Sequence, residues 1–183
     1  DKCIAEISLN LAVIHCHIGS QIFEVDSFKL AAKRLIAVLA AFRDKHSKEL
    51  PELNIGGGYG IAYTNNESAI SPFQVIPAIA QEIKDECAKA KLSIPKISIE
   101  PGRAIVGPTT TTIYLVGTTK LVKLDDGSTR KYISVDGGMS DNIRPALYGA
   151  TYSAFLANRN SGEKITSSRI VGKHCESGDI LIP

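Results

Sequence analysis

Three features of the chain predict an α/β fold followed by a β-rich region. Strand and helix patterns alternate over residues 1–107. Each strand there runs straight into a polar or glycine-rich turn. Beyond about residue 107 the texture becomes Thr-rich and punctuated by turns, so residues 108–183 form the second domain.

Residues 11–18 are apolar and rich in β-branched side chains, which predicts a buried strand within 9–18. Asp26 is placed to cap the next helix, and Phe28, Ala31, Leu35, Leu39 and Phe42 recur at helical spacing toward His46. After Pro51, residues 53–55 form a short strand ending in Gly56, Gly57 and Gly58. Ser71 and Gln74 have capping-box spacing around Pro72, and Ile76, Ile79, Ala80, Ile83 and Cys87 form the apolar face of a second helix. Pro95 precedes a third strand over 96–99, which leads into Glu100 and Arg103. Strands 9–18, 52–56 and 96–100 are expected to be parallel neighbours, with helices near 27–46 and 72–91 on one side. Three strands cannot close a (β/α)8 barrel. In the second region, strands are expected within 109–119 and 131–135 and from Gly178 onward. A hairpin turn is expected at Asp125-Asp126-Gly127-Ser128, and a short, ambiguous helical piece around 152–157.

Composition narrows the classes. With 44% hydrophobic and 22% charged residues, the chain is globular rather than disordered or collagen-like. Lys+Arg 21 against Asp+Glu 19 leaves a net charge of +2, no footprint for nucleic acid or an anionic membrane. The longest apolar run, residues 35–42, is too short to span a bilayer. Cys3, Cys16, Cys87 and Cys175 are widely spaced, which predicts reduced thiols and a cytoplasmic location. The chain opens on Asp1 and its single methionine is Met139, so a fragment or processed product is expected.

Several residues could carry chemistry. The three consecutive glycines either let backbone N–H groups approach a phosphate or simply make a tight turn. His15 and His17 lie two apart, on one face of a strand. They have metal-ligand spacing but no third ligand nearby, so hydrogen-bonded histidines without a metal are expected. Ser20, closing the strand, is a candidate phosphate ligand. Glu100 and Arg103 either bind a ligand nitrogen and an anion or pair with each other. Arg144 and Tyr148 are four residues apart. Cys175, between His174 and Glu176, is either an active thiol or an inert one.

Five ordered segments sharpen this picture: HCHIGSQI at residues 15–22, NIGGGYGIAY at 54–63, EPGRAIVGP at 100–108, VDGGMSDNIRPALYGA at 135–150 and GKHCESGDIL at 172–181. Together they resemble the pyridoxal-phosphate-dependent decarboxylases of the alanine-racemase-like fold (fold type III). The resemblance implies pyridoxal 5'-phosphate as cofactor, and a chain corresponding to the C-terminal part of a (β/α)8 barrel followed by part of a β-rich domain. The family's cofactor-bearing lysine stretch and a C-terminal tyrosine have no counterpart here. The chain is therefore expected to belong to a longer enzyme and to be inactive alone.

By motif, His17 would stack on the cofactor ring. Ser20 and the backbone of Gly56, Gly57 and Gly58 would hold the phosphate, with Gly102 and Arg103 completing that site, and Glu100 would face the pyridine nitrogen. Arg103, Arg144 and Tyr148 would bind the substrate, in particular its distal carboxylate. Cys175 would be the proton donor and Glu176 would grip the distal amino group, both reaching the partner's active site in a homodimer. The implied reaction is decarboxylation of meso-2,6-diaminopimelate to L-lysine and CO2, the last step of lysine biosynthesis, by a carbon–carbon lyase. The alternatives are a related basic amino-acid decarboxylase, acting on arginine, ornithine or carboxynorspermidine, or a non-catalytic dimerising fragment. A cation at Arg144 suits a substrate with a distal carboxylate, whereas an ornithine-type substrate calls for an acid.

Overall fold

The computed structural model describes residues 1–159 and 166–183. The chain divides into two units, one formed by Asp1–Ala62 and Ser68–Thr109, the other by Tyr63–Glu67 and Thr110–Pro183.

In the first unit a single turn of helix, α1 (Lys2–Ala5), precedes β1 (Val13–His15), α2 (Val25–His46), β2 (Glu52–Asn54), α3 (Pro72–Ala90), β3 (Lys96–Ser98), α4 (Gly102–Val106) and a 3-10 turn at Gly107–Thr109. The strands are parallel in the order β1-β2-β3, with His15 opposite Asn54 and Asn54 opposite Ser98. They are shorter than the sequence suggests because the ladder continues only as single bonds. The N–H groups of Cys16, Ile55 and Glu100 donate to the carbonyls of Asn54, Ser98 and Gly56.

Alternation along the strands splits the two faces. Leu53 and Ile55, fully buried, join α2 and α3 in one cluster, with Ile14, Cys16 and Ile99 packed against it. Helix α2 contributes Phe28, Ala32, Leu35, Ile36 and Leu39, and α3 contributes Val75, Ile79, Ile83 and Cys87 at strict four-residue spacing. Each large side chain so buried contributes about 1.5–3 kcal/mol. Phe28 stacks face to face on Tyr59, with 4.5 Å between centroids. Both helices thus bury their apolar faces in one core, on one face of the sheet.

Four local expectations are corrected. Helix α2 begins one residue before Asp26, which lies in its first turn where a carboxylate favours the helix dipole; the N-cap is Glu24. Ser71 does cap α3, but its side chain makes no capping bond; the backbone N–H groups of Gln74 and Val75 bond to its carbonyl instead. Ile76 is exposed and Val75 takes its place in the core, because the spacing 75, 79, 83, 87 follows the buried stripe. The expected strand is not buried throughout: Val13 in β1 is exposed, as expected for a strand with one face on the core, and Ile18, beyond its end, is exposed too.

The second unit is a four-stranded mixed sheet in the order β4 (Val116–Lys123), β5 (Thr129–Val135), β6 (Ser168–Val171), β7 (Ile180–Ile182). The β4–β5 pair is an antiparallel hairpin, β5–β6 is parallel and β6–β7 antiparallel. The hairpin turns at the expected tetrapeptide, with Gly127 at φ +82°. No helix forms at 152–157. The helix is α5 (Arg144–Tyr148), in which Pro145 starts the turn and Gly149, left-handed at φ +61°, ends it. Among the described residues no helix is long and apolar enough to cross a membrane.

Candidate active site

Sequence-predicted residues of the first unit fall into one cluster, those of the second into two pairs. In the first unit, the loops after β1, β2 and β3 are bound together through the glycine run. A side chain at Gly56 would overlap the Cys16 carbonyl oxygen, one at Gly57 the Glu100 carbonyl oxygen, and one at Gly58 the Gly19 carbonyl oxygen. Gly56 and Gly58 also have φ of +74° and +97°, a region that L-residues rarely adopt. All three glycines are thus wedged between neighbouring backbones.

Gly58 also lines a cavity of about 230 Å³ together with His17, Ser20, Tyr59, Glu100, Pro101, Gly102, Arg103 and Ala104. The Gly58 N–H and the Ser20 hydroxyl there lack a protein partner among the described residues, and so does the buried Nη1 of Arg103, another lining residue. The buried Tyr59 hydroxyl is likewise unpartnered, and burial followed by the nearby Cys16 pushes its pKa up to about 12, so it stays a donor. A buried guanidinium nitrogen without an acceptor is costly unless an anion satisfies it. The cavity therefore fits the phosphate of a pyridoxal cofactor. A larger cavity of about 420 Å³, beside α2, is lined mainly by apolar groups such as Ile18, Ile22 and Leu30 and offers no such convergence.

His17 is held in place by the same loop. The Gly57 N–H donates to its Nδ1 at 3.4 Å, which leaves the proton of a neutral ring on Nε2. Glu100 does not pair with Arg103. Its Oε1 accepts from Asn54 Nδ2 at 2.9 Å and its Oε2 lies 3.4 Å from His15 Nε2. His15, Asn54 and Glu100 share the sheet face away from the helices, so parity and register alone bring them together.

The second unit packs two of its loops around Asp179, only 3% exposed and the one buried charged side chain among the described residues. Its Oδ1 accepts from the Met139 N–H at 2.6 Å and its Oδ2 from the His174 N–H at 2.8 Å. Gly138 and Gly172 are glycines because any side chain would strike this carboxylate. Asp179 thereby ties the loop bearing Cys175 and Glu176 to the loop after β5. His174 Nε2 lies 2.8 Å from Ser140 Oγ, adding a second tie. Cys175 and Glu176 are themselves exposed.

Arg144 stands at the start of α5. Its Nε donates to the Tyr152 hydroxyl at 3.1 Å, and its guanidinium carbon lies 5.5 Å from the Tyr148 ring centre and 5.8 Å from that of Tyr63. No carboxylate pairs with it among the described residues.

The cavity thus gathers His17, Ser20, Gly58, Glu100, Gly102 and Arg103, while the second unit keeps Arg144 beside Tyr148 and Cys175 beside Glu176. Sequence reasoning missed Tyr59, Tyr63, Tyr152 and Asp179. Tyr59, Tyr63 and Asp179 lie within quoted motifs and could have been weighed, although Asp179 reads as an ordinary turn residue before a strand.

Residues 1–107 match the pyridoxal binding domain of the pyridoxal-dependent decarboxylases, and residues 104–183 match their C-terminal sheet domain. The diaminopimelate decarboxylase of Corynebacterium efficiens is 49% identical over 175 residues, covering 96% of this chain and 38% of that protein. That of Bacillus subtilis is 44% identical over 174 residues, covering 95% and 39%. The crystal structure of diaminopimelate decarboxylase from Helicobacter pylori complexed with L-lysine superposes with a TM-score of 0.79 at 25% identity, over 99% of this chain and 41% of that one. The chain spans about two fifths of the length of these relatives. Matched along its whole length by the family's two consecutive domains, the chain belongs to the pyridoxal-dependent decarboxylases.

Proposed function

We propose that this chain serves in an enzyme that decarboxylates meso-2,6-diaminopimelate to L-lysine and CO2, with pyridoxal phosphate as cofactor. The observation that carries the substrate choice is Arg144, a guanidinium with no carboxylate partner among the described residues, in a chain whose relatives are diaminopimelate decarboxylases. A free guanidinium suits a substrate whose distal end is a carboxylate and repels a purely cationic one. The parallel order β1-β2-β3, with helices on one face, supports a segment of a (β/α)8 barrel. Residues 1–107 are then the cofactor-phosphate part, and residues 108–183 carry the substrate and proton-donor segments.

Each residue has a role that its surroundings support. Ser20, the Gly58 N–H and Arg103 bind the phosphate, and Gly56 and Gly57 hold the loop that presents them. His17, oriented by the Gly57 N–H, would lie against the cofactor ring. Glu100, steadied by Asn54 and His15, keeps a proton on the pyridine nitrogen. When bound, pyridoxal phosphate supplies the electron sink for the pair released as CO2 leaves. Arg144 and Tyr148 bind the distal carboxylate and Glu176 the distal ammonium. The Cys175 thiol delivers a proton to the carbon that has lost CO2. The exposure of Cys175 and Glu176 supports their serving a homodimer, in which a partner subunit's substrate covers them. A biosynthetic role of this kind belongs to the cytoplasm.

The test is CO2 release by the full-length enzyme from meso-diaminopimelate, L-lysine, L-ornithine and L-arginine. Turnover of meso-diaminopimelate in strong preference to the others is expected. Comparable kcat/KM on L-ornithine or L-arginine would show that a different basic amino acid is the substrate.

A further inference from the structure

Arg144 is framed on three sides by tyrosines from separate stretches of the second unit. Tyr148 lies one helical turn on in α5, Tyr152 just beyond it, and Tyr63 far upstream in the Tyr63–Glu67 segment. The Tyr63 ring meets Tyr152 edge to face at 5.0 Å, so the frame also packs on itself. Tyr63 is pinned in turn by Glu67, whose Oε2 accepts from the N–H groups of Tyr63 and Thr64 at 2.8 and 3.0 Å. These two bonds, Tyr63 first, hold the Glu67 carboxyl below its ordinary range, so the clamp is ionised at neutral pH.

We infer that Tyr63 and Tyr152 are positioning residues for substrate selection: together with Tyr148 they hold the Arg144 guanidinium so that its two Nη groups face the distal carboxylate of the substrate. The reasoning is geometric and rests on the distal-carboxylate role given to Arg144 above. An arginine side chain otherwise loses rotamer freedom on binding a ligand, which weakens the bond it forms. Here that freedom is already spent. The ring faces attract the cation, and the Tyr152 hydroxyl takes up Nε. What remains is the Nη pair, with the donors for a two-point grip on a carboxylate. The frame contains no anion that would compete for that grip.

The test exploits the reaction's own product. Decarboxylation removes the carboxylate at the reacting carbon, so L-lysine retains the distal one, while cadaverine is the same chain without it. Affinities of both are measured on the full-length holoenzyme carrying Tyr63→Leu, Tyr63→Phe, Tyr152→Phe or Arg144→Ala. Tyr63→Leu and Tyr152→Phe should each weaken L-lysine by about three- to tenfold and leave cadaverine unchanged. Tyr63→Phe, which keeps the ring face, should bind L-lysine as the wild type does. Equal weakening of L-lysine and cadaverine, or a Tyr63→Phe variant as weak as Tyr63→Leu, overturns the frame. So does unchanged L-lysine affinity in Tyr63→Leu and Tyr152→Phe while Arg144→Ala weakens it, an outcome that leaves the distal-carboxylate role standing. If Arg144→Ala itself has no effect on L-lysine, that role fails and the frame fails with it.

Discussion

The two units use glycine for opposite ends. In the first, Gly56, Gly57 and Gly58 each clear a path for a neighbouring backbone carbonyl, that of Cys16, Glu100 and Gly19 in turn. In the second, Gly137 clears the Tyr114 ring, and Gly138 and Gly172 clear the Asp179 carboxylate. The loops of one cluster are therefore spaced by main-chain contacts, those of the other by a network of side chains. The difference teaches where each should be vulnerable. Main-chain spacing is set by sterics, whereas a side-chain network can be dismantled one group at a time.

The largest effect is expected where one side chain carries the recognition. In the full-length enzyme, Arg144→Ala should lower kcat/KM for meso-diaminopimelate by about 2–5 kcal/mol, the loss of a charge-assisted pair with its partner charge left unpaired. Cofactor absorbance should be unchanged, since Ser20, Gly58 and Arg103 are untouched. If Arg144 merely braces α5, cofactor occupancy and melting temperature fall together while the kcat/KM of the folded fraction holds.

The reverse pattern is expected in the first unit. Gly57→Ala places a methyl group against the Glu100 carbonyl oxygen, a neighbour that can give only by moving a strand end. Overpacking of this kind costs about 1–3 kcal/mol. Because the Glu100 loop helps line the cavity, cofactor affinity should fall along with the melting temperature. A Gly57→Ala enzyme with wild-type cofactor affinity would show that the loop tolerates the shift and that the main-chain site is less rigid than its geometry implies.

What the sequence revealed follows the same division. The parallel strands and the two long helices were legible because their apolar stripes are long: 28, 35 and 39 in α2, and 79, 83 and 87 in α3. The glycine run was legible as a backbone requirement, since nothing else permits φ of +74° and +97° at Gly56 and Gly58. The second unit was read less well. Its helix has five residues, too few for a periodic pattern, so α5 was missed and a helix was sought at 152–157. Strand β6, Ser-Arg-Ile-Val, shows no alternation that sets it apart from loop. Asp179 and Tyr63 act across long sequence separations, on Met139 in one case and on Arg144 in the other, and no local pattern announces such partners.

A smaller effect is expected at Asp179. Asp179→Asn keeps one acceptor but turns an amide N–H toward either Met139 or His174, leaving a buried donor unpaired. That costs about 1–3 kcal/mol of stability. The consequence that separates it from Gly57→Ala is kinetic: the loop bearing Cys175 and Glu176 loosens, so kcat falls while cofactor affinity stays. A variant that loses cofactor instead would mean that the two clusters are not independent.

The smallest and most specific effect should be at Tyr114. Its hydroxyl donates to Asp141, whose other oxygen accepts from the Gly138 N–H at 2.8 Å. The Tyr114 bond is the main cause holding the Asp141 carboxyl below its ordinary 3.8, while burial, followed by Asp141, pushes Tyr114 from 10.0 up to about 12. The signs then follow from linkage. A depressed carboxylate stabilises the fold above pH 3.8, and this contribution is lost as pH falls through the lower folded value. A raised phenol stabilises it below pH 10, and this is lost between pH 10 and about 12. Asp141 is largely exposed, so solvent screening keeps the whole contribution near that of one hydrogen bond, about 0.5–1.5 kcal/mol. Tyr114→Phe should therefore lower the urea midpoint of the full-length enzyme uniformly between pH 5 and 9, and flatten its decline at both extremes. An unchanged acid limb would mean that Asp141 draws its stabilisation from the Gly138 N–H rather than from Tyr114, and that this corner of the second unit, like the glycine loop of the first, is held by backbone.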